Sequence, residues 1–153
     1  MAPSVTALVN QKGGVAKSTS CINIGAALAR EGKRVLLVDT DPQASMTISL
    51  GNPQPDNLPV TVADLMAKVM NDQSPWPGEG VIHHPEGMDL LPSSIALAGT
   101  EVALVNAMSR ESMLKYVLNE YRKDYDHILI DCMPSLGMLT INALAASNKV
   151  IIP

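Results

Sequence analysis

Two lysines, a pair of glycines and several hydroxyl residues are crowded into one short segment near the start of the chain. The segment covers residues 10–28 and reads NQKGGVAKSTSCINIGAAL. Consecutive backbone N–H groups that lead into a helix attract phosphate oxygens, and glycines allow the backbone to approach them closely. The residues predicted to contact phosphate are Gly13, Gly14, Val15, Ala16, Lys17, Ser18 and Thr19.

This segment departs from the usual phosphate-loop pattern G-x-x-x-x-G-K-[ST]. When the pattern is aligned on Lys17, its two glycines fall on Gln11 and Ala16, and an additional lysine stands at Lys12. Ala16 is small enough to occupy a position where glycine is usual. Lys17 is expected to place its ammonium group on the outer phosphates, and Ser18 is expected to offer its hydroxyl to Mg²⁺.

Aspartates follow two further apolar segments. Asp39 and Asp41 come after VLLV, and Asp131 ends HILID. Ligands of parallel sheets bind at the carboxyl ends of the strands, where Asp131 suits the acid that holds Mg²⁺ through water. Asp39 and Asp41 can face the terminal phosphate and an attacking water. Each feature alone is also explained by an ordinary turn or a helix cap, but the three segments in this order favour a nucleotide site.

The elements that must position these residues alternate between apolar strands and helices. Residues 71–87 are rich in proline and glycine and predict a surface loop. Thr61 and Asp64 have the spacing of a capping box. Strands that are apolar throughout predict an α/β fold with a parallel sheet covered by helices on both faces. The predicted strands are 5–9, 35–38, 88–91, 127–132 and 150–152, and the predicted helices are 17–30, 62–69, 97–121 with a break near Ser109, and 136–147.

Composition is consistent with a single globular domain over residues 1–153, since hydrophobic residues make up 46% of the chain. No apolar run approaches the ~20 residues that a membrane span needs, and no export signal is visible. Cys21 and Cys132 read as reduced core thiols, so the expected location is cytoplasmic with no membrane attachment. The net charge of −4 argues against a broad nucleic-acid surface on these residues.

Three segments, NQKGGVAKST, RVLLVDTDPQ and DHILIDCMPSLGMLTINALAAS, closely resemble the deviant Walker A, A′ and B segments of the ParA/Soj chromosome- and plasmid-partition ATPases. The resemblance runs over residues 5–153. It implies the P-loop NTPase fold in its deviant Walker A form, ATP and Mg²⁺ as cofactors, and hydrolysis of the β–γ phosphoanhydride as the reaction. The sequence departs from the family at Met133, where proline is more common, and at Ala44 and Ser45, where glycine and asparagine are more usual.

The resemblance also implies roles for individual residues. The early lysine is the signature of the family's loop and reaches the nucleotide of the other subunit in a dimer, which is the role implied for Lys12. Lys17 then serves its own nucleotide. Asp41 is implied to position or activate the attacking water, Asp39 to support the Mg²⁺ shell, and Pro134 to shape the loop that senses the γ-phosphate.

Partners follow from the same resemblance. Intact members form ATP-dependent homodimers, respond to a ParB-like stimulating partner, associate with the nucleoid and bind DNA nonspecifically through a C-terminal half. They continue beyond the point where this chain stops, so the resemblance implies a partial domain with the C-terminal strands missing and the strand order 3-2-4-1-5. Two alternatives stay open: a truncated, non-enzymatic nucleotide-binding chain, and an electron-transfer or cofactor-synthesis member of the wider group, which the positions of the two cysteines disfavour.

Overall fold

The computed structural model describes residues 2–10, 12 and 16–153. In this part of the chain, one six-stranded sheet has the order β3-β4-β2-β5-β1-β6, and every pairing is parallel except that of β3 with β4. The five predicted strands therefore lie in the predicted order. The strands are β1 (Ser4–Leu8), β2 (Val35–Asp39), β3 (Ile82–His83), β4 (Asp89–Leu91), β5 (His127–Asp131) and β6 (Lys149–Ile151).

Strand β3 was not predicted, and the interpretation of residues 71–87 as loop throughout was wrong at this point. Ile82 pairs with Leu90 and His83 with Asp89 in the antiparallel hairpin with β4. A strand of two residues has no alternating pattern that a sequence can display. Its existence depends on the neighbouring strand, and it extends an otherwise parallel sheet at one edge.

Helices cover both faces of the sheet, as predicted. One face carries α1 and α2, and the other carries α3, α4, α5 and α6. Among the described residues, no helix is long and apolar enough to cross a bilayer. The helices are α1 (Lys17–Arg30), α2 (Ser45–Ser49), α3 (Val62–Met70), α4 (Ala96–Leu104), α5 (Met113–Asn119) and α6 (Met138–Ala146), with short 3₁₀ turns at Pro55–Asn57, Arg110–Ser112 and Arg122–Asp124.

The helix predicted over residues 97–121 is divided into α4 and α5. The predicted break near Ser109 is confirmed, because Ser109 has φ 53 and a left-handed residue cannot continue a right-handed helix. The capping box of α3 is also confirmed. The backbone N–H of Thr61 donates to Asp64 Oδ2 at 2.7 Å, and the Thr61 side chain caps the helix in return.

Strand β2 shows how the sheet builds two cores. Its Leu36 and Val38 pack among the helices α3 to α6, whereas Val35 and Leu37 face α1 and α2, and all four are buried. Helix α1 lies very close to this strand, since a Cβ on Gly25 would stand 2.8 Å from Leu37 Cδ2. The alternation explains why the strand is apolar at every position.

Candidate nucleotide-binding site

The register of the sheet brings the predicted site residues to one edge. Asp131, at the end of β5, is aligned with Leu8 of β1 on one side and with Asp39 of β2 on the other. The loops that follow these three strands therefore start side by side. The loop after β1 leads into α1 at Lys17, so Lys17 and Ser18 lie at the same edge of the sheet as the aspartates.

Ser18 and Asp131 form the centre of this edge. The Ser18 hydroxyl donates to Asp131 Oδ2 at 2.6 Å. Asp131 is 1% exposed, and among the described residues no hydrogen bond reaches its buried Oδ1. Thr40 holds the main chain here, since its N–H and its hydroxyl donate to the Asp131 carbonyl oxygen at 3.0 and 2.8 Å.

This arrangement fits Mg²⁺. The orphaned oxygen of Asp131 and the adjacent Ser18 hydroxyl are hard oxygen ligands, which Mg²⁺ prefers when phosphates and water complete its shell. Among residues 2–10, 12 and 16–153, no group of three His, Cys, Asp or Glu side chains could hold a metal by protein ligands alone. Burial raises the pKa of Asp131 to about 6, while the Ser18 hydrogen bond and the Lys17 charge lower it.

Lys17 is the buried cation of the site. It is 8% exposed at the first position of α1, and its charge is close enough to Asp131 to lower the pKa of that carboxyl. Ala16, the N-cap, has φ 63 and ψ 31, which is a left-handed conformation that glycine adopts more easily. Thr19 is exposed on α1, and the predicted phosphate contacts at Gly13, Gly14 and Val15 lie outside the described residues.

Lys12 occupies a different environment from Lys17. It is exposed, and its backbone N–H donates to Asn10 Oδ1 at 2.9 Å. The Asn10 side chain in turn donates to the Pro153 carbonyl oxygen at 3.1 Å, which connects the loop after β1 to the segment after β6. Lys12 is exposed at this edge, and its predicted role toward the nucleotide of a second subunit stays a prediction.

Asp41 and Asp39 lie beside this centre. Asp41 is partly exposed in the loop between β2 and α2, and its Oδ1 accepts the N–H of Gln43 at 2.9 Å. Asp39 is fully buried, and burial raises its pKa to about 7 although donors from Thr47 and Asp41 oppose the shift. Both Asp39 oxygens accept hydrogen bonds from the protein. Its predicted part in the magnesium shell stays a prediction.

Pro134 is exposed in the loop between β5 and α6, on the same edge of the sheet. The far end of that loop is held by Glu101 of α4. Its two carboxylate oxygens accept the N–H groups of Met138 and Leu139 at 2.7 and 2.9 Å. Sequence reasoning missed Glu101, because a cap that comes from another helix leaves no local pattern. The contact ties α4 to the start of α6 and to the loop that contains Pro134.

The absence of a side chain at Gly137 is expected to leave room for the Glu101 carboxylate. A double-mutant cycle on the free energy of unfolding can test this. The φ of −72 at Gly137 is open to any residue, but an added Cβ would overlap the Glu101 carboxylate. We expect Gly137→Ala and Glu101→Ala each to lower the free energy of unfolding by about 1 kcal/mol, the usual value of a helix cap. In the Glu101→Ala background, Gly137→Ala should cost much less. Urea unfolding of the four proteins measures this coupling.

Gly99→Ala is the matched control. It lies in α4, and an added Cβ there meets no atom within 4 Å. Alanine favours a helix over glycine by roughly 0.5–1 kcal/mol, so this variant is expected to be neutral or more stable. If Glu101→Ala and Gly137→Ala lower the free energy of unfolding additively, a clash between the new Cβ and the Glu101 carboxylate is not the reason for the loss in Gly137→Ala.

A mostly parallel sheet between two layers of helices, with a buried lysine at the start of α1 and a Ser–Asp pair at the end of the neighbouring strand, defines the P-loop NTPase class of protein. A family model described as an AAA domain matches residues 4–153, and the chain belongs to that family. Its relatives include Soj and ParA partition proteins, so the predicted family resemblance is confirmed.

Three similar proteins illustrate the relationship. The sporulation initiation inhibitor protein Soj of Bacillus subtilis is 46% identical over 149 residues, which cover 97% of this chain and 57% of that protein. The chromosome-partitioning ATPase Soj of Treponema pallidum is 48% identical over 145 residues, covering 95% and 54%. A third similar protein is cobyrinic acid a,c-diamide synthase from Mycobacterium smegmatis, whose crystal structure contains a bound ATP analogue and magnesium. This structure superimposes on the chain with a TM-score of 0.91 at 48% sequence identity. The superposition covers 99% of this chain and 59% of the synthase.

The chain thus spans about half the length of the curated relatives it matches. The ATP analogue and magnesium in the superimposed structure agree with the cofactors expected from the sequence. The similarity covers nearly all of this chain, including the three segments that carry the site residues.

Proposed function

We propose that this chain is the nucleotide-binding part of a partition ATPase of the Soj/ParA type, which binds Mg-ATP, hydrolyses it and uses the nucleotide to control dimerisation. The observation that carries the proposal is the Ser18–Asp131 hydrogen bond beside the buried Lys17, with one Asp131 oxygen left without a protein donor among the described residues. A hydroxyl, a carboxylate and a cation at the carboxyl edge of a parallel sheet suit a phosphate–magnesium ligand.

Each predicted residue has a role in this proposal. Lys17 neutralises the outer phosphates, and the main chain of residues 13–16 together with Thr19 surrounds them. Ser18 and Asp131 hold Mg²⁺, which neutralises charge on the phosphate oxygens when it is bound. Asp39 lies next to this pair, and both of its oxygens accept hydrogen bonds from the protein. Pro134 shapes the loop that responds to the γ-phosphate.

Asp41 is proposed to act on water. It orients the water for in-line attack on the γ-phosphorus and accepts a proton from it, while the bond from that phosphorus to the bridging oxygen breaks and ADP leaves. Asp41 suits this task because it is partly exposed beside the Ser18–Asp131 pair, whereas Asp39 is fully buried.

Asp41→Ala is expected to retain Mg-ATP binding and to lose hydrolysis. The side chain would act only on the attacking water, so its removal should lower kcat by about 10²- to 10⁴-fold, the usual contribution of a general base. Calorimetry gives the affinity and phosphate release gives the rate. If the variant no longer binds Mg-ATP, Asp41 is needed for nucleotide binding or for the structure of the site, and the proposed role on the attacking water is wrong.

Lys12 is proposed to act in a second subunit. Its exposure and its place at the nucleotide edge allow it to reach the phosphates of a partner, so that charge stabilisation depends on dimerisation. The wider cycle, with nonspecific DNA binding on the nucleoid and a ParB-like stimulating partner, belongs to the same proposal. Light scattering of the parent and of Lys12→Ala with Mg-ATP tests the dimer, and an unchanged dimer fraction in the variant would contradict this role.

A second candidate is an ATP-dependent synthase, favoured by the similarity to cobyrinic acid a,c-diamide synthase. The identity of 48% equals that of the Treponema Soj protein, so identity does not separate the two. The two functions differ in the acceptor of the phosphoryl group, which is water in the ATPase and a carboxylic acid in the synthase. Release of phosphate from Mg-ATP without an added carboxylic acid supports the partition ATPase, and release only in the presence of an acid substrate supports the synthase.

A further inference from the structure

Asp39 is connected to Asp41 by a closed ring of hydrogen bonds. Asp39 Oδ1 accepts the N–H of Asp41 at 3.1 Å, and Oδ2 accepts the N–H and the hydroxyl of Thr47 at 3.0 and 2.6 Å. The Thr47 hydroxyl accepts the N–H of Ser93 at 3.0 Å. The Ser93 hydroxyl then donates to the Asp41 carbonyl oxygen at 2.6 Å, which closes the ring.

The direction of every bond in the ring is determined by the chemistry of its groups. The ionised carboxylate of Asp39 can only accept, so the Thr47 hydroxyl donates its proton to Asp39 Oδ2, and the Thr47 oxygen accepts the N–H of Ser93. The Ser93 hydroxyl faces a carbonyl oxygen and therefore donates. Asp39, Thr47 and Ser93 are all 0% exposed, so water does not compete for these bonds. Such a satisfied buried network rigidifies the groups it connects.

The ring holds the peptide of Asp41 at both ends. Its N–H is held by Asp39, and its carbonyl oxygen is held by Ser93 and by the N–H of Ala44 at 2.8 Å. The side chain of Asp41 is the part that remains partly exposed. Asp39 has three protein donors on its two oxygens, which leaves it less capacity for metal-bound water than Asp131 has.

We propose that Asp39, Thr47 and Ser93 are positioning residues that fix the backbone of Asp41 and so aim its carboxylate, and that Asp39 does not serve the magnesium shell. The proposal rests on the function proposed above for Asp41. Misplacement of a reacting group by about 1 Å can cost 10²-fold in rate, so a fixed backbone at this point has a large effect on hydrolysis.

Amide hydrogen exchange without nucleotide tests the positioning directly. Thr47→Val keeps the shape and removes the hydroxyl, and Ser93→Ala removes the last bond of the ring. Both are expected to accelerate exchange of the Asp41 N–H at least about tenfold, which corresponds to a loss of about 1.4 kcal/mol. Thr47→Ser keeps the hydroxyl and should restore the parent rate. The N–H of Ile130 in β5 reports global opening, and acceleration at Asp41 beyond that at Ile130 supports the proposal.

Magnesium dependence separates the two roles of Asp39. The ratio of ATP affinities with and without Mg²⁺ is expected to be unchanged in Asp39→Asn and reduced in Asp131→Asn.

Hydrolysis gives a further test of the positioning. Thr47→Val is expected to lower kcat about 100-fold with KM unchanged, whereas Thr47→Ser should have the kcat of the parent. An Asp39→Asn ratio that falls like that of Asp131→Asn, or an Asp41 exchange rate unaffected by Thr47→Val, would overturn the proposal. Failure of the parent to bind nucleotide would contradict the proposed function, and the exchange rates would still decide on the positioning.

Discussion

Replacing Lys17 by alanine is expected to abolish measurable binding of Mg-ATP. The side chain is 8% exposed at the start of α1, next to the Ser18–Asp131 pair, so its ammonium group acts where water screens it little. Hydrogen bonds to charged groups contribute about 1.5–3 kcal/mol each, and loss of two of them lowers affinity by two orders of magnitude or more. Isothermal titration calorimetry of the parent and the variant measures the change.

Lys33→Ala is the control for this experiment. Lys33 is exposed just before β2, at the edge of the sheet opposite to the site. The Lys33→Ala variant should therefore bind Mg-ATP as tightly as the parent does. Thermal unfolding of both variants confirms that the fold is intact. If Lys17→Ala binds Mg-ATP as tightly as the parent, the assignment of the phosphate-binding segment is wrong.

Replacing Asp131 by asparagine is expected to remove the gain in ATP affinity that Mg²⁺ provides. A carboxylate that holds the metal through water typically contributes 10- to 100-fold, about the value of outer-shell partners. Because burial raises the pKa of Asp131 to about 6, protons compete with the metal below that pH. The magnesium-dependent gain of the parent should therefore increase from pH 5 to pH 7, and that of the variant should be small at every pH.

Asp131→Asn is expected to weaken magnesium-dependent ATP binding but to stabilise the ligand-free chain above about pH 6. The pKa of Asp131 is higher in the folded than in the unfolded state, so its contribution to stability is present below the unfolded pKa and is lost as the pH rises through about 6. Asparagine cannot ionise, and its oxygen can still accept the Ser18 hydroxyl. Asp131→Asn is therefore expected to raise the melting temperature at pH 8.

Asp126→Asn provides the contrast. Asp126 is paired with Arg34 at 3.1 Å at the opposite edge of the sheet, and that pair lowers the pKa of its carboxyl to about 2. This variant should keep the magnesium-dependent gain and should not raise the melting temperature at pH 8. An unchanged magnesium effect in Asp131→Asn would exclude Asp131 from the metal site.

Much of the architecture follows from local patterns. The buried strands are short apolar runs, the capping box of α3 lies within four residues, and the break near Ser109 appears where the apolar pattern changes. Family resemblance then predicted the strand order of the five main strands, which the sheet confirms. The two-residue β3 and the Glu101 cap were not predictable, since neither has a sequence pattern of its own.

The amino-acid sequence identifies the loops that carry the predicted phosphate-binding and acidic residues, because apolar runs, glycines and strand-terminal aspartates are recognised over a few neighbouring positions. The hydrogen bonds that each aspartate oxygen accepts are visible only in the folded chain. Asp131 keeps one oxygen without a protein donor among the described residues, whereas Asp39 is held by Thr47, which Ser93 reaches from 46 residues away. Two aspartates at equivalent strand ends look alike in sequence. They differ in the structure because burial and hydrogen bonding depend on which distant segments pack against each strand end.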